Sequence, residues 1–322
     1  MGETVTQSAV GIFFIISGYL FYAKQETFTR AAFRSKLKRR INTLAVPYIA
    51  WNAIAILLFV AFHLLMHRQF GMADLAGSFW CSSQWDADTY NILGWRTPMY
   101  GPMDLPLWYL RDLIVQVLLA ALTYRLVRHL KIFYILALTA CFLTKIWIWL
   151  PGFSINAFLF WALGAHLALN KKEFGITVNN KHLKYLLFAA SLLLVVYVSL
   201  QAANEAGTHS YIIRQAGVLA GIYIFMAAAR HAARTISATA MERTNRLNKS
   251  VFFVYAIHSI CGFGFTQIAI KLAYPLMEKS NVFCFMLCYL AAPFAIYAMS
   301  VLAHGALKRA TPRLAAVLNG GR

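Results

Sequence analysis

Residues 44–66 read LAVPYIAWNAIAILLFVAFHLLM, and these 23 positions contain no aspartate, glutamate, lysine or arginine. A helix of about 20 residues crosses a hydrocarbon core about 30 Å thick, so this stretch is long and apolar enough to span a membrane. Other apolar stretches recur along the chain, at residues 8–23, 105–124, 132–150, 153–169, 184–200, 211–229, 251–271 and 282–307. The sequence therefore predicts an all-α integral membrane protein, with residues 1–322 as a single domain and a bundle of about nine transmembrane helices.

The composition also favours a membrane protein. Hydrophobic residues make up 60% of the 322 residues and charged residues 13%, and the mean hydropathy is +0.60. One soluble core could not bury so much apolar surface. The net charge of +19 would suit nucleic acid if lysine and arginine gathered on one face. Here they lie in short runs between apolar stretches, so no nucleic-acid partner is expected.

The basic residues predict the orientation of the chain. Cytoplasmic loops of membrane proteins carry an excess of lysine and arginine. Of the 30 lysines and arginines, 23 fall in alternate connections, at residues 24–43, 125–131, 170–184, 230–249 and 308–322. These segments and the C-terminus are therefore predicted to be cytoplasmic, and membrane lipid is an expected partner.

Three charged residues fall inside predicted spans, where charge is costly and usually faces a bundle interior or a watery cavity. Arg111 and Asp112 lie about two turns into a span entered from outside, and Lys145 lies about one turn from the outer end of the next. All three are expected in the outer half of the membrane. In one interpretation they line a polar cleft, where a guanidinium can give paired hydrogen bonds to an acceptor or acyl oxygen. In the other, Asp112 and Lys145 form an interhelical ion pair and Arg111 extends outward to water.

His258 lies about two turns into the predicted span at residues 251–271, near the middle of the membrane. A neutral imidazole there can act as a general base or relay a proton. A packing role is the alternative for a single histidine on a helix. No group of His, Cys, Asp and Glu has the spacing of a metal site, so no metal is expected.

Residues 67–104 form the one sizeable extramembrane segment that the sequence predicts, and it lies on the outer side. It carries several aspartates and aromatic residues, among them Asp104 and Trp80. These side chains could roof an outward-facing cleft, or they could form the interfacial belt that Trp and Tyr favour. Both interpretations stay open.

Residues 34–40 (RSKLKRR) form a basic run on the predicted inner side. As a loop, they could bind the phosphates of an anionic cosubstrate through Arg39 and Arg40. The alternative is an orientation signal that binds anionic lipid. In the first span, Ser17 and Gly18 interrupt the apolar run.

Several short motifs together resemble the acyltransferase 3 family of bacterial inner-membrane proteins, which acylate surface polysaccharides and other sugars. Residues 11–19 (GIFFIISGY) are similar to the family's FFxxSGF segment, and the basic stretch at residues 38–40 and then Pro47 and Tyr48 follow as in the family. Residues 107–113 (LWYLRDL) and 252–259 (FFVYAIHS) resemble two later family segments. The order and spacing of these motifs over nearly the whole chain carry the resemblance.

The resemblance implies a multi-pass protein of the bacterial inner membrane that moves an acyl group, usually acetyl, from cytoplasmic acyl-CoA to a sugar hydroxyl. The acceptor would be a cell-surface polysaccharide or a lipid-linked sugar. Acyl-CoA is then a cosubstrate, and no cofactor is bound permanently. Ser17, Arg39 and Arg40 are the candidate contacts for acyl-CoA. Arg111 and His258 are the candidate catalytic residues, Arg111 positioning an oxygen and His258 lining the cavity.

The chain departs from the family pattern in two places. The family has ten spans, and its first span, which carries a catalytic arginine and histidine, has no counterpart before the motif at residues 11–19. Thr43 stands where a second arginine often follows Arg40, which weakens the inferred contact with CoA phosphates. The expectation is that Met1 is an internal start within a longer reading frame, and a shortened, inactive relative is the alternative.

Two other functions stay open. A polar cavity in a helical bundle would serve a transporter or a flippase of a sugar-linked lipid equally well, although neither an inverted repeat nor paired broken helices are evident in the sequence. A catalytically inactive scaffold or partner subunit would also fit a chain without the family's catalytic pair.

Overall fold

The predicted apolar stretches fold into helices in the computed structural model, which describes residues 2–23, 29–67, 71, 75, 77–82, 87–90, 96–99, 101–148, 150–171, 181–201, 208–260, 264–278 and 282–321. The helices are α1 (Gly2–Tyr22), α2 (Arg30–Arg40), α3 (Val46–Leu65), α4 (Trp108–Leu118), α5 (Ala120–Leu130), α6 (Ile132–Thr144), α7 (Ile155–Leu169), α8 (Lys181–Gln201), α9 (Thr208–Thr235), α10 (Ala238–Asn248), α11 (Val251–Ile257), α12 (Phe265–Glu278), α13 (Val282–Ala310) and α14 (Pro312–Leu318). Two short strands, β1 (Ala87–Tyr90) and β2 (Arg96–Met99), pair with each other. The predicted helical fold class is confirmed.

Among the described residues, four helical stretches are long and apolar enough to cross a membrane: Thr4–Tyr22, Arg30–Leu65, Tyr211–Thr235 and Leu290–Ala310. The bent pair Leu105–Leu118 and Ala120–Leu130, whose helices meet at 67°, adds a fifth if it is one broken span. Three further apolar helices are shorter. A multi-pass α-helical membrane protein is therefore confirmed, whereas the predicted count of nine spans is not.

The basic run at residues 34–40 is helical, so its prediction as a loop is wrong. α2, a π-helical turn at Ile41–Ala45 and α3 follow one another as one stretch, Arg30–Leu65. Lysine, arginine, leucine and alanine are good helix formers. The π-helical turn ends two residues before Pro47, whose missing N–H and ring disturb a regular helix.

The predicted span at residues 251–271 is broken. α11 ends at Ile257 and α12 begins at Phe265. A Cβ at Gly264 would collide with the carbonyl group of His258, and the amide of Thr266 donates to the same carbonyl oxygen at 2.8 Å. The last carbonyls of a helix need partners from outside it. His258 therefore lies at the end of a short helix, where the returning chain caps its carbonyl.

The chain divides into two compact units, each drawn from several parts of the sequence. The first comprises Met1–Arg34, Asp88–Pro98 and Val115–Ser237. The second comprises Ser35–Ala87, Met99–Ile114 and Ala238–Arg322. The single domain expected from the sequence stays a prediction.

In the first unit, α1 and α7 approach closely through glycine. A Cβ at Gly18 would collide with the carbonyl oxygen of Trp161, and a Cβ at Gly164 would collide with that of Ile15. Small residues let membrane helices pack backbone against backbone. Gly18 is thus a packing position within a continuous α1.

In the second unit, Trp51 of α3 joins the C-terminal part of the chain to α11. Its indole nitrogen donates to the carbonyl oxygen of Leu318 at 2.9 Å, and its ring lies edge-on to Phe253, with centres 5.2 Å apart. The side chain of Asn319 donates to the carbonyl oxygen of Lys249 at 2.7 Å. The core of this unit therefore forms where α3, α11 and α14 meet.

Candidate functional site

The candidate site is built around the start of α4, in the second unit. A 3₁₀ turn at Leu105–Leu107 leads into this helix. Leu107 and Leu110 are buried and anchor the first turns by their apolar side chains. Arg111 and Asp112 follow directly, so these anchors fix the place at which the two charges enter the unit.

Arg111 and Asp112 form a buried ion pair. Nε of Arg111 lies 3.2 Å from Oδ1 of Asp112, and the two side chains are 6% and 0% exposed. Nη1 of Arg111 donates to the carbonyl oxygen of Trp80 at 2.8 Å, and the guanidinium carbon lies 5.7 Å from the centre of the Trp80 ring. A buried charge is tolerated when it is paired and hydrogen-bonded. The guanidinium is thus held inside the unit, contrary to the alternative in which it extends outward to water.

Trp80 ties this ion pair to the beginning of α3. The hydroxyl of Tyr48 donates to the carbonyl oxygen of Phe79, and its ring lies edge-on to the Trp80 ring, with centres 6.5 Å apart. Tyr48 is in the first turn of α3, which begins at Val46. Arg111 is therefore level with the end of α3 that follows the basic run. Its place in the outer half of the membrane stays a prediction.

Asn52 joins α3 to the segment before α4. Its side-chain oxygen accepts a hydrogen bond from the amide of Asp104 at 3.1 Å, and its side-chain nitrogen donates to the carbonyl of Tyr48 at 3.0 Å. Asn52 is fully buried. At a rise of about 1.5 Å per residue, roughly 20 Å of α3 lies between Asn52 and its end at Leu65. The last residue of the predicted outer segment therefore reaches deep into the second unit.

The carboxyl group of Asp104 is buried without a partner among the described residues. The residue is 0% exposed, and neither carboxyl oxygen makes a hydrogen bond to a residue that the structure describes. Asp104 precedes the bent helix pair, and burial raises the pKa of its carboxyl group well above the ordinary value. Asp104 therefore lies beside Asn52 with a carboxyl group that no described residue hydrogen-bonds.

Tyr255 connects α11 to the same turn. Its hydroxyl donates to the carbonyl oxygen of Pro106, and its ring lies edge-on to Tyr109, with centres 6.2 Å apart. Its own carbonyl oxygen accepts a hydrogen bond from Nδ1 of His258 at 2.6 Å. A carbonyl oxygen can only accept, so Nδ1 carries the proton and Nε2 of the neutral imidazole does not. His258 therefore has the tautomer that a general base acting through Nε2 requires.

Arg39 and Arg40 end α2, on the helical stretch that continues to Tyr48. Arg39 is exposed and Arg40 is half-buried. Their charges act on Lys36, one turn earlier, so three cations cluster at this end of the second unit. The helix rises about 12 Å from Arg40 to Tyr48. The basic cluster and the Arg111 ion pair are thus connected by two turns of one helix.

Ser17 lies half-buried on α1, in the first unit, and its part in binding a cosubstrate stays a prediction. Lys145 also belongs to the first unit, where its ammonium lies 5.3 Å from the centre of the Tyr211 ring. The structure therefore places Arg39, Arg40, Arg111 and His258 in one unit.

Sequence patterns do not single out Asn52, and they give no role to Tyr48 or Tyr255, although both stand within the motifs that carry the resemblance. Each is a polar side chain within an apolar helix, and that is the signal that could have identified it, because a buried polar group needs a partner. Asp104 is visible in the sequence only as one acid of the outer segment. Its special position follows from its contact with α3.

The comparisons with known proteins agree with the resemblance seen in the motifs. A family model described as an acyltransferase domain matches residues 2–301, which include the helices that hold the site. The succinoglycan biosynthesis protein ExoH of Rhizobium meliloti (strain 1021) is 23% identical over 330 residues, covering 100% of this chain and 81% of that protein. No solved structure matches the chain.

Proposed function

Because the chain belongs to the acyltransferase 3 family, we propose that it transfers an acetyl group from acetyl-CoA to a hydroxyl of a cell-surface polysaccharide or lipid-linked sugar. The relative is named for the biosynthesis of a polysaccharide, which supports a glycan acceptor. The observation that carries the proposal is the buried Arg111–Asp112 pair beside Trp80. A fixed, desolvated guanidinium can bind an acyl or acceptor oxygen strongly. The proposed setting is a bacterial inner membrane, with the C-terminus cytoplasmic.

The proposed reaction moves the acetyl group from sulfur to oxygen. The acceptor hydroxyl oxygen attacks the thioester carbonyl carbon, the carbon–sulfur bond breaks, and coenzyme A leaves as the thiol. His258 would take the hydroxyl proton on Nε2 and return it to the leaving sulfur. Arg111 would stabilise the negative charge that develops on the carbonyl oxygen.

The basic end of α2 is the proposed contact for the phosphates of acetyl-CoA. Arg39 and Arg40 act together with Lys36, and a cluster of cations favours an anionic phosphate. About 12 Å of helix separates Arg40 from Tyr48, the residue level with Arg111. The pantetheine arm of coenzyme A is long enough to bridge this distance. The thioester would then reach Arg111 while the phosphates stay at α2.

A deletion strain tests this function in the cell. Loss of the gene should remove acetyl esters from the surface glycan, as measured by NMR spectra of the purified polysaccharide. The wild-type chain should restore these esters, and the Arg111→Lys variant should not. A deletion strain with unchanged acetylation would overturn the proposed acceptor. If the strain instead loses another acyl ester, the proposal of an acyltransferase stands and the transferred group is that acyl group.

A further inference from the structure

Asp104 is held firmly by its backbone and left without a partner at its side chain. Its amide donates to Asn52 at 3.1 Å, and its carbonyl oxygen accepts from the amide of Leu107 at 2.9 Å. Both carboxyl oxygens are buried and make no hydrogen bond within the described part of the chain. An unpaired buried polar group destabilises a fold, so its presence requires an explanation.

Donors near Asp104 are used for other acceptors. The hydroxyl of Tyr48 donates to Phe79 and that of Tyr255 donates to Pro106. The guanidinium of Arg111, seven residues along the chain, is paired with Asp112. These donors are therefore bound to acceptors other than Asp104. The missing partner of the Asp104 carboxyl group is expected from a bound molecule.

The surroundings favour a sugar hydroxyl as that partner. A carboxyl group with a raised pKa can donate from its O–H and accept at its other oxygen, and a sugar hydroxyl both accepts and donates. The rings of Tyr109 and Tyr255 pack edge-on beside the turn and provide apolar surface for the C–H groups of a sugar. Among the described residues, no group of three or more His, Cys, Asp and Glu could hold a metal ion, which disfavours a cation at Asp104.

We infer that Asp104, framed by Tyr48, Asn52 and Tyr255, is the subsite that binds a hydroxyl group of the acceptor sugar. This inference rests on the proposed function and gives its acceptor a place in the second unit. The subsite lies seven residues before Arg111 at the start of α4. The bound hydroxyl would thus be delivered next to the group that holds the acyl oxygen.

Acetyl-CoA also carries a hydroxyl and amide N–H groups in its pantetheine arm, so the test has to separate the two substrates. Asp104→Leu removes the carboxyl group while filling its volume, and it should not lower the unfolding temperature because it removes an unpaired buried polar group. Asp104→Asn is the second variant, should the leucine variant fail to fold. Glu242→Gln is the matched control, since Glu242 is exposed on α10.

Binding is measured by saturation-transfer NMR on the full chain in lipid nanodiscs. The probes are methyl β-D-glucopyranoside and methyl β-D-galactopyranoside, without acetyl-CoA. Asp104→Leu should weaken binding of at least one glycoside by about tenfold or more, whereas Glu242→Gln should bind it like the wild type. In the transfer assay, the KM for acetyl-CoA should stay within about twofold of the wild type for both variants.

Equal glycoside binding by the wild type and Asp104→Leu would overturn the inference, as would a wild type that binds neither glycoside. A raised KM for acetyl-CoA with unchanged glycoside binding would also overturn it, since the carboxyl group would then belong to the donor. A third outcome separates the two proposals. If the wild type binds a glycoside through Asp104 but transfers no acetyl group, the subsite is supported and the proposed reaction is contradicted.

Discussion

Nη1 of Arg111 lies 2.8 Å from the carbonyl oxygen of Trp80. This bond links the start of α4 to a segment that rests on Tyr48, in the first turn of α3. The guanidinium is therefore fixed from two sides, by the carbonyl oxygen and by Asp112. A charge fixed in this way needs little reorganisation when a reacting oxygen arrives.

Replacing Arg111 with lysine should remove most of the acyl transfer without unfolding the protein. Lysine keeps a positive charge beside Asp112, whereas leucine would leave that carboxylate buried and unpaired, which is strongly destabilising. An ammonium lacks the planar fork that binds several oxygens at once. We expect kcat to fall about a hundredfold or more, measured with labelled acetyl-CoA in nanodiscs.

Arg128→Lys is the matched control, because Arg128 is exposed on α5 with its guanidinium 5.8 Å from the Tyr124 ring centre. Its kcat should equal that of the wild type. A fully active Arg111→Lys variant would mean that Arg111 has a structural role only.

His258→Asn should separate the two roles left open for this histidine. The asparagine amide can replace Nδ1 as the donor to the Tyr255 carbonyl, but it offers no basic nitrogen in place of Nε2. Stability should therefore stay close to that of the wild type, while transfer falls about a hundredfold or more. Thermal unfolding and steady-state kinetics on the same sample measure both. Unchanged kinetics would leave His258 with a packing role.

Neutralising Arg39 and Arg40 should weaken the binding of the CoA phosphates. The double variant Arg39→Gln/Arg40→Gln should raise the KM for acetyl-CoA by about tenfold. Acetyl-pantetheine, which lacks the phosphates, should keep its wild-type KM. Steady-state kinetics with each donor in turn measure the two KM values.

Arg309→Gln, at the exposed C-terminal end of α13, is the control for the loss of positive charge. It should leave the KM of both donors unchanged. If the two arginines bind anionic lipid instead of CoA, the double variant should change the KM of acetyl-CoA and of acetyl-pantetheine by the same factor.

Gly164→Ala should destabilise the first unit. A Cβ at Gly164 would collide with the carbonyl oxygen of Ile15 in α1, so α1 and α7 would have to separate. Overpacking of this kind costs about 1–3 kcal/mol. Gly305→Ala is the control, because nothing lies within 4 Å of a Cβ there and alanine favours a helix. The unfolding temperature in detergent should fall for Gly164→Ala alone, and an equal or higher value would contradict the close packing.

Apolar patterning predicts most of the helices and, with the motifs, the family. It does not reveal how the chain returns into the bundle. The hydrogen bond from Asp104 to Asn52 joins positions 52 residues apart, and no local periodicity encodes that contact. The break after Ile257 is also hidden, because the residues on both sides are apolar and the cause is the close approach of Gly264 to His258.

The same limit applies to the depth of Arg111, which stays a prediction. Counting turns along α4 from a presumed membrane surface assumes that the preceding segment stays outside. Phe79 and Asp104 instead contact Tyr48 and Asn52 in the first two turns of α3. Depth in a membrane protein is set by such tertiary contacts, which the sequence of one helix does not contain.

If the second unit joins acetyl-CoA and a glycan at Arg111, the purified full chain should acetylate the glycan directly. The protein is incubated in nanodiscs with acetyl-CoA labelled in the acetyl group and de-esterified surface polysaccharide, and the label recovered in the polysaccharide is counted. The wild type should transfer label and release an equal amount of coenzyme A, while Arg111→Lys should transfer little. Folded wild-type protein that leaves the polysaccharide unlabelled, or equal labelling by both proteins, would contradict this role of Arg111.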